Sequence, residues 1–202
     1  MPPEEAYVPD YLGLPLGSFM ELVASREPAP GGGASAAVTV ALAAALSSMS
    51  ARFSTGHLVE APALTERAEQ LRSEVMPLAR ADAAAYGHVL ESYRGQREGD
   101  KEGQRRKIRE ALSEAASVPL AVAEIGAELV GIAVRLVREG NPNLRGDAVV
   151  AALLAEAGVR AAAKLVEINV AAGGADNGRL ARASELVADA AAAQQAAKSA
   201  GA

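Results

Sequence analysis

Apolar residues along this chain recur at three- and four-residue spacing, and Val, Ile, Thr and aromatic residues never collect into the alternating runs of a half-buried strand. Phe19, Leu22 and Val23 follow that spacing behind Ser18, a good N-cap residue. A short helix is therefore expected from Ser18 to about Arg26, broken by Glu27 to Pro30. A second helix opens at Gly31-Gly32-Gly33 and runs to about Ser54. Its small residues Gly33, Ala37, Ala41 and Ala45 repeat every four, leaving a stripe along which another helix can come very close. A third runs from about Pro62 to Arg94, bent where Pro77 removes a backbone hydrogen bond, and a fourth from about Glu102 to Glu139 carries Pro119 in the same way. Between them, Gly95 to Gly103 reads as a mobile polar loop. Gly140, Asn141, Pro142 and Asn143 form a turn, Asp147 can cap a fifth helix to about Ala171, and Gly173-Gly174 ends it. A last helix spans about Asp176 to Lys198. With an irregular Pro-bearing arm over 1–15 and a frayed tail over 199–202, the pattern predicts one all-α domain over 1–202, a bundle of about six helices without a sheet.

Composition sharpens this picture. Of 202 residues 48 are Ala, so helices can pack tightly, yet each Ala buries little apolar area at roughly 25 cal/mol per Å2. Extra burial through a helix face, and hence a homodimer that buries much of the Gly31 to Ala51 helix, is expected. Those 21 residues carry no charge, the length of a membrane span. Most of them are Gly, Ala, Ser and Thr, so the segment reads as a core helix rather than a span. A formal charge of −5 argues against nucleic acid and anionic membranes as partners. The lack of Cys excludes structural disulfides, and the acidic start lacks a basic secretory n-region, so a cytoplasmic location is expected.

Few residues stand out as candidate chemistry. Asp82 lies among methyl groups in Ala81-Asp82-Ala83-Ala84-Ala85-Tyr86. If that face is buried, desolvation raises its pKa into the range useful for acid or base work; if not, it is a solvated acid near Arg80. The Gly triplet either leaves backbone N–H groups open to a ligand or simply allows a turn and close packing. Asn169 follows Leu165, Val166 and Ile168, where an amide is costly without a partner. Asp147 reads most simply as a cap, and Asn141 and Asn143 as turn residues. His57 and His88 have no companions at ligand spacing, so no metal is expected. From Arg94 to Arg109 seven bases face three acids, either a solvated helix start or a landing strip for a polyanionic ligand tail.

Five segments in order, Pro-Ala-Pro-Gly-Gly-Gly at 28–33, Ala81 to Tyr86, Val118-Pro119-Leu120-Ala121-Val122-Ala123-Glu124, Asn143 to Asp147, and Ile168-Asn169, together resemble the cyclodeaminase/cyclohydrolase family over roughly residues 16–195. This is the domain at the C-terminal end of formiminotransferase-cyclodeaminase, also found as stand-alone bacterial proteins. The resemblance implies an all-helical dimeric enzyme acting on a one-carbon tetrahydrofolate derivative as substrate, with no further cofactor. The reaction is either that of a formimidoyltetrahydrofolate cyclodeaminase, releasing ammonia to give the methenyl compound, or that of a methenyltetrahydrofolate cyclohydrolase. It implies Asp82 as the catalytic carboxylate, and Gly31, Gly32, Gly33, Tyr86, Arg94, Glu124, Asn143, Asp147 and Asn169 as substrate-binding positions. The basic run would then meet the tail of a polyglutamylated substrate. Ala34, Gly146 and Leu165 depart from the polar residues usual in the family at those places. They leave a second class open, a non-catalytic folate-binding or scaffolding helical dimer.

Overall fold

The structure, a computed structural model, describes residues 8–94, 101–174 and 176–199. Among these the chain is helical throughout, without a strand. A short 3-10 turn, Tyr11–Gly13, precedes α1 (Leu16–Val23), α2 (Gly32–Arg52), α3 (Ala61–Val75), α4 (Leu78–Arg94) and α5 (Lys101–Glu139). A second 3-10 turn, Pro142–Leu144, leads into α6 (Arg145–Gly173) and α7 (Asn177–Ser199).

Four local expectations change. Ser18 is not a cap: α1 starts at Leu16 behind Pro15, whose carbonyl already accepts from the Phe19 N–H at 3.1 Å. The fixed φ of proline lets the helix begin one turn early. The long third helix is divided, because at Met76 and Pro77 the bend becomes a two-residue turn between α3 and α4. The ladder resumes when the Ala81 N–H reaches the Pro77 carbonyl at 3.1 Å. Lys101 to Gly103 belong to α5 rather than to a loop, with Gly103 buried in the first turn, where packing outweighs its weak helix propensity. The rest of that expected loop, 95–100, lies outside the described residues. Asp147 is likewise not a cap but sits within the first turn of α6, where its charge suits the helix dipole. The N-cap of α6 is Leu144, without a side-chain cap, and the capping side chain belongs to the preceding 3-10 turn, where Asn141 accepts from the Asn143 N–H at 2.9 Å.

The core is built on α2, which packs against α3, α4, α5 and α6. It is long and apolar enough to cross a membrane by length and composition, yet most of it is buried inside the bundle. Gly33, Ala37 and Ala41 of the small stripe are buried and Ala45 is exposed. At the centre Val40 fills a hollow made by two glycines, Gly126 of α5 and Gly158 of α6. A Cβ on Gly126 would stand 2.8 Å from Val159 Cγ2 and 3.4 Å from Val40 Cγ2, and one on Gly158 would overlap Val40 Cγ2 outright. Three helix axes can therefore converge on one valine.

Polar ties hold the C-terminal part of α2. The buried Ser48 hydroxyl donates to Glu69 of α3 at 2.6 Å, and with Arg72 and Arg52 it holds that carboxyl well below its ordinary range, to about 2. At the C-terminus Asn141 donates to the Phe53 carbonyl through its side chain and to Ser54 Oγ through its backbone, each at 2.9 Å. This clamps the α5–α6 corner onto α2. Gly140 is required there, because a Cβ would meet the Ser54 hydroxyl at 2.9 Å.

Two glycine substitutions should therefore move stability in opposite directions. Gly158→Ala forces a methyl into Val40 and is expected to cost about 1–3 kcal/mol, as overpacking does. Gly131→Ala, on an exposed turn of α5 with open space around it, is expected to add about 0.5–1 kcal/mol through helix propensity. Urea denaturation of the two variants checks the contrast.

Candidate active site

The N-terminus of α2 has no side-chain cap of its own, since its N-cap residue is Gly31. The missing acceptor comes from another helix. Asp82, in the second turn of α4, brings its carboxylate to the Ala34 backbone N–H in the first turn of α2. Gly33 makes this possible, because a Cβ on residue 33 would occupy the same space as the Asp82 carboxylate. The Gly triplet thus serves a close approach of side chain to backbone. Ser35 ties the turn by donating its hydroxyl to the Gly31 carbonyl at 2.9 Å.

Burial and this hydrogen bond act in opposite directions on Asp82. Desolvation raises its pKa, the Ala34 N–H lowers it, and the balance is upward. The Asp82 charge reaches Tyr11, whose phenol is pushed up first by its own burial and then by that carboxylate. Tyr11 is buried against Phe19, the rings tilted with centroids 6.0 Å apart.

Asp82 borders a pocket of about 250 Å3 together with Gly31, Gly32, Gly33, Tyr86 and Asn169. Pro28, Leu165 and Ile168 give it apolar wall, and Ala115 of α5 lies beside Asn169. The Asn169 side-chain amide donates to the Ala115 carbonyl at 3.1 Å, the partner that an amide on this helix face requires. Leu165 packs near Gly32, its Cδ2 at ordinary contact distance, 3.9 Å, from where a Cβ would stand. The arrangement joins a carboxylate of raised proton affinity, the positive end of a helix dipole and an amide around an apolar enclosure, a setting for moving protons on a polar, planar ligand.

The other expected positions lie elsewhere. Glu124 is on α5 in a separate cleft with Arg67 and Glu74, and pairs with Arg182 at 3.4 Å. Asn143 and Asp147 sit at the opposite end of α6 from Asn169. At about 1.5 Å per residue Asp147 is roughly 33 Å along the helix from it. Arg94 ends α4, exposed and about 18 Å along the axis from Asp82. Sequence reasoning overlooked Tyr11, which the arm gave no reason to single out, and the Ala115 carbonyl, which no side-chain pattern can announce.

A family profile described as Formiminotransferase-cyclodeaminase matches residues 15–185, which include every residue of the pocket. A methenyltetrahydrofolate cyclohydrolase of Methylorubrum extorquens is 36% identical over 160 residues, covering 75% of this chain and 77% of that protein. Among solved structures, a formiminotetrahydrofolate cyclodeaminase from Thermotoga maritima superposes with a TM-score of 0.83 at 31% identity, covering 93% of this chain and 95% of the other. The chain belongs to the formiminotransferase-cyclodeaminase family.

Proposed function

We propose that this protein is a folate one-carbon enzyme whose Asp82 pocket takes a formimino- or methenyl-tetrahydrofolate and moves the protons of its conversion. The observation that carries this reading is the Asp82 carboxylate itself, kept above its ordinary pKa by burial while one N–H of α2 holds it in place at the pocket wall. The relatives' names, a cyclohydrolase and a cyclodeaminase, supply the substrate class.

Both reactions pass through a tetrahedral carbon between nitrogens. In the cyclohydrolase direction water adds to the methenyl carbon and gives one proton to Asp82, the carboxylic acid passes that proton to the nitrogen that departs, and the remaining hydroxyl proton is released to solvent as the C–OH becomes the C=O of the formyl group. In the cyclodeaminase direction the aminobenzoyl nitrogen attacks the carbon of the protonated formimino group, whose C=N electron pair moves onto its nitrogen to make an amino group, and gives up its own proton to Asp82. The acid then protonates the amino group that leaves as ammonia. A carboxylate of raised pKa serves both halves of either cycle, and its negative charge favours the delocalised cation at the reacting carbon. The apolar wall at Leu165 and Ile168 strengthens that attraction by lowering the dielectric on that side of the pocket.

Two further parts of the proposal concern the tail and the assembly. Arg105, Lys107 and Arg109 are exposed on the first turns of α5, and Arg105 lies about 15 Å along that helix from Ala115 in the pocket. That is a suitable reach for a polyglutamate tail. Leu16 and Leu42, each at least half exposed, line an apolar groove of about 320 Å3 between α1 and α2, and Met20 of α1 is exposed as well. A second copy covering this face would make the homodimer.

Asp82→Asn is expected to lower turnover at least 100-fold in an absorbance assay of the methenyl chromophore, with either substrate supplied, while circular dichroism stays unchanged. Wild-type-like turnover would end the assignment. The same variant has a stability signature. Because the folded pKa of Asp82 lies above the unfolded one, the folded protein binds the extra proton, and its contribution to stability is lost as pH rises through the folded pKa. Asp82→Asn should therefore raise Tm at pH 7, and this gain should shrink as pH falls toward 4. Replacing Arg105 and Lys107 with Ala should raise KM for a polyglutamylated substrate more than for the monoglutamate, with a difference that fades at high salt. Light scattering at micromolar concentration should report a dimer, and Met20→Glu with Leu42→Glu a monomer.

A further inference from the structure

Pro119 stands buried in the interior of α5, a helix of 39 residues that continues through it unbroken. Proline has no N–H, so the carbonyl four residues earlier loses its helical donor. That carbonyl belongs to Ala115, which borders the Asp82 pocket and accepts from the Asn169 amide at 3.1 Å. A carbonyl oxygen only accepts, so the bonded atom of Asn169 is its nitrogen. The orientation of the amide follows. Its oxygen is the group left over, and none of the described residues donates to it.

We propose that Pro119 is a positioning residue of the pocket: by removing one N–H from α5 it frees the Ala115 carbonyl to hold Asn169 in a single orientation, with the amide oxygen offered to an N–H donor of the ligand. With Ala, Val or any other residue at 119, the Ala115 carbonyl would be satisfied inside α5, and the Asn169 amide would turn freely between presenting N–H and presenting oxygen. The identity of the ligand rests on the folate reading above, since a reduced pterin carries several N–H donors that such an acceptor suits. The orientation of Asn169 does not rest on it.

The test separates the two. In Pro119→Ala, the Asn169 side-chain NH2 signals, assigned by their loss in Asn169→Ala, should shift and lose their protection from solvent exchange, whatever the ligand. An unchanged, protected amide would overturn the proposal. With one-carbon tetrahydrofolate as substrate, Pro119→Ala should raise KM about 3- to 10-fold, the worth of one hydrogen bond, with the loss falling mainly on KM rather than kcat. Asn169→Ala should do the same, and the double variant should be no worse than either single one. Additive losses would mean that Pro119 acts through helix shape alone and would also overturn it. Pro119→Val, closer in volume and equally able to donate, repeats the test should the smaller residue disturb folding. Absence of turnover in the wild type with a normal shift of the Asn169 signals would sink the folate reading and leave the positioning role standing.

Discussion

The structure turns on one contact, the Asp82 carboxylate against the first turn of α2 in the space where residue 33 would otherwise carry a Cβ. It caps α2 from outside, sets where α4 lies against α2, and buries a charge beside an apolar wall. Each consequence requires the others. Without the Gly33 gap the carboxylate cannot reach the Ala34 N–H, and without that N–H nothing offsets desolvation of the acid. The site is therefore a place where the fold accepts a cost in stability for a carboxylate of raised proton affinity.

The rest of the bundle has the means to carry that cost. Its core is made of thin side chains, with Ala36, Ala37, Ala43 and Ala44 of α2 almost wholly buried. Val40 sits between Gly126 and Gly158, so that axes come close enough for backbone as well as side chains to pack. Surface ion pairs such as Arg67 with Glu128 at 2.6 Å are half exposed and add little each. The buried hydroxyl of Ser48 on Glu69, and Asn141 on Phe53 and Ser54, matter more for register, since they tie particular turns of α2 to particular neighbours.

Within the pocket, polar side chains are few. Leu165 and Ile168 line it with apolar surface, and Asn169 spends one N–H on the backbone of α5. Recognition of a ligand then depends on orientation more than on the number of polar groups, because a single amide held one way discriminates donors from acceptors while a free one does not. Asp147 at the start of α6, and Asn143 in the 3-10 turn before it, lie at the far end from Asn169 and do not line this pocket.

Much was legible in the chain itself. Helical periodicity, the Gly and Pro breaks and the absence of alternating apolar runs determined an all-α bundle and the approximate extent of most helices, because those signals act over a few residues. Asp82 and the Gly triplet were visible as oddities, an acid among methyl groups and three residues without side chains at the mouth of a helix. Local rules misplaced the caps at Ser18 and Asp147, where Pro15 and Asn141 start the backbone turn earlier. Only the tertiary structure decided that Gly33 exists for Asp82, that Tyr11 from the arm feels that charge, that Glu124 faces a different cleft, and that Ala115 holds Asn169. The reason is physical: whether an acid is desolvated, and which carbonyl an amide finds, depends on helices brought together by packing across long stretches of sequence, and no pattern of neighbours along the chain encodes that encounter.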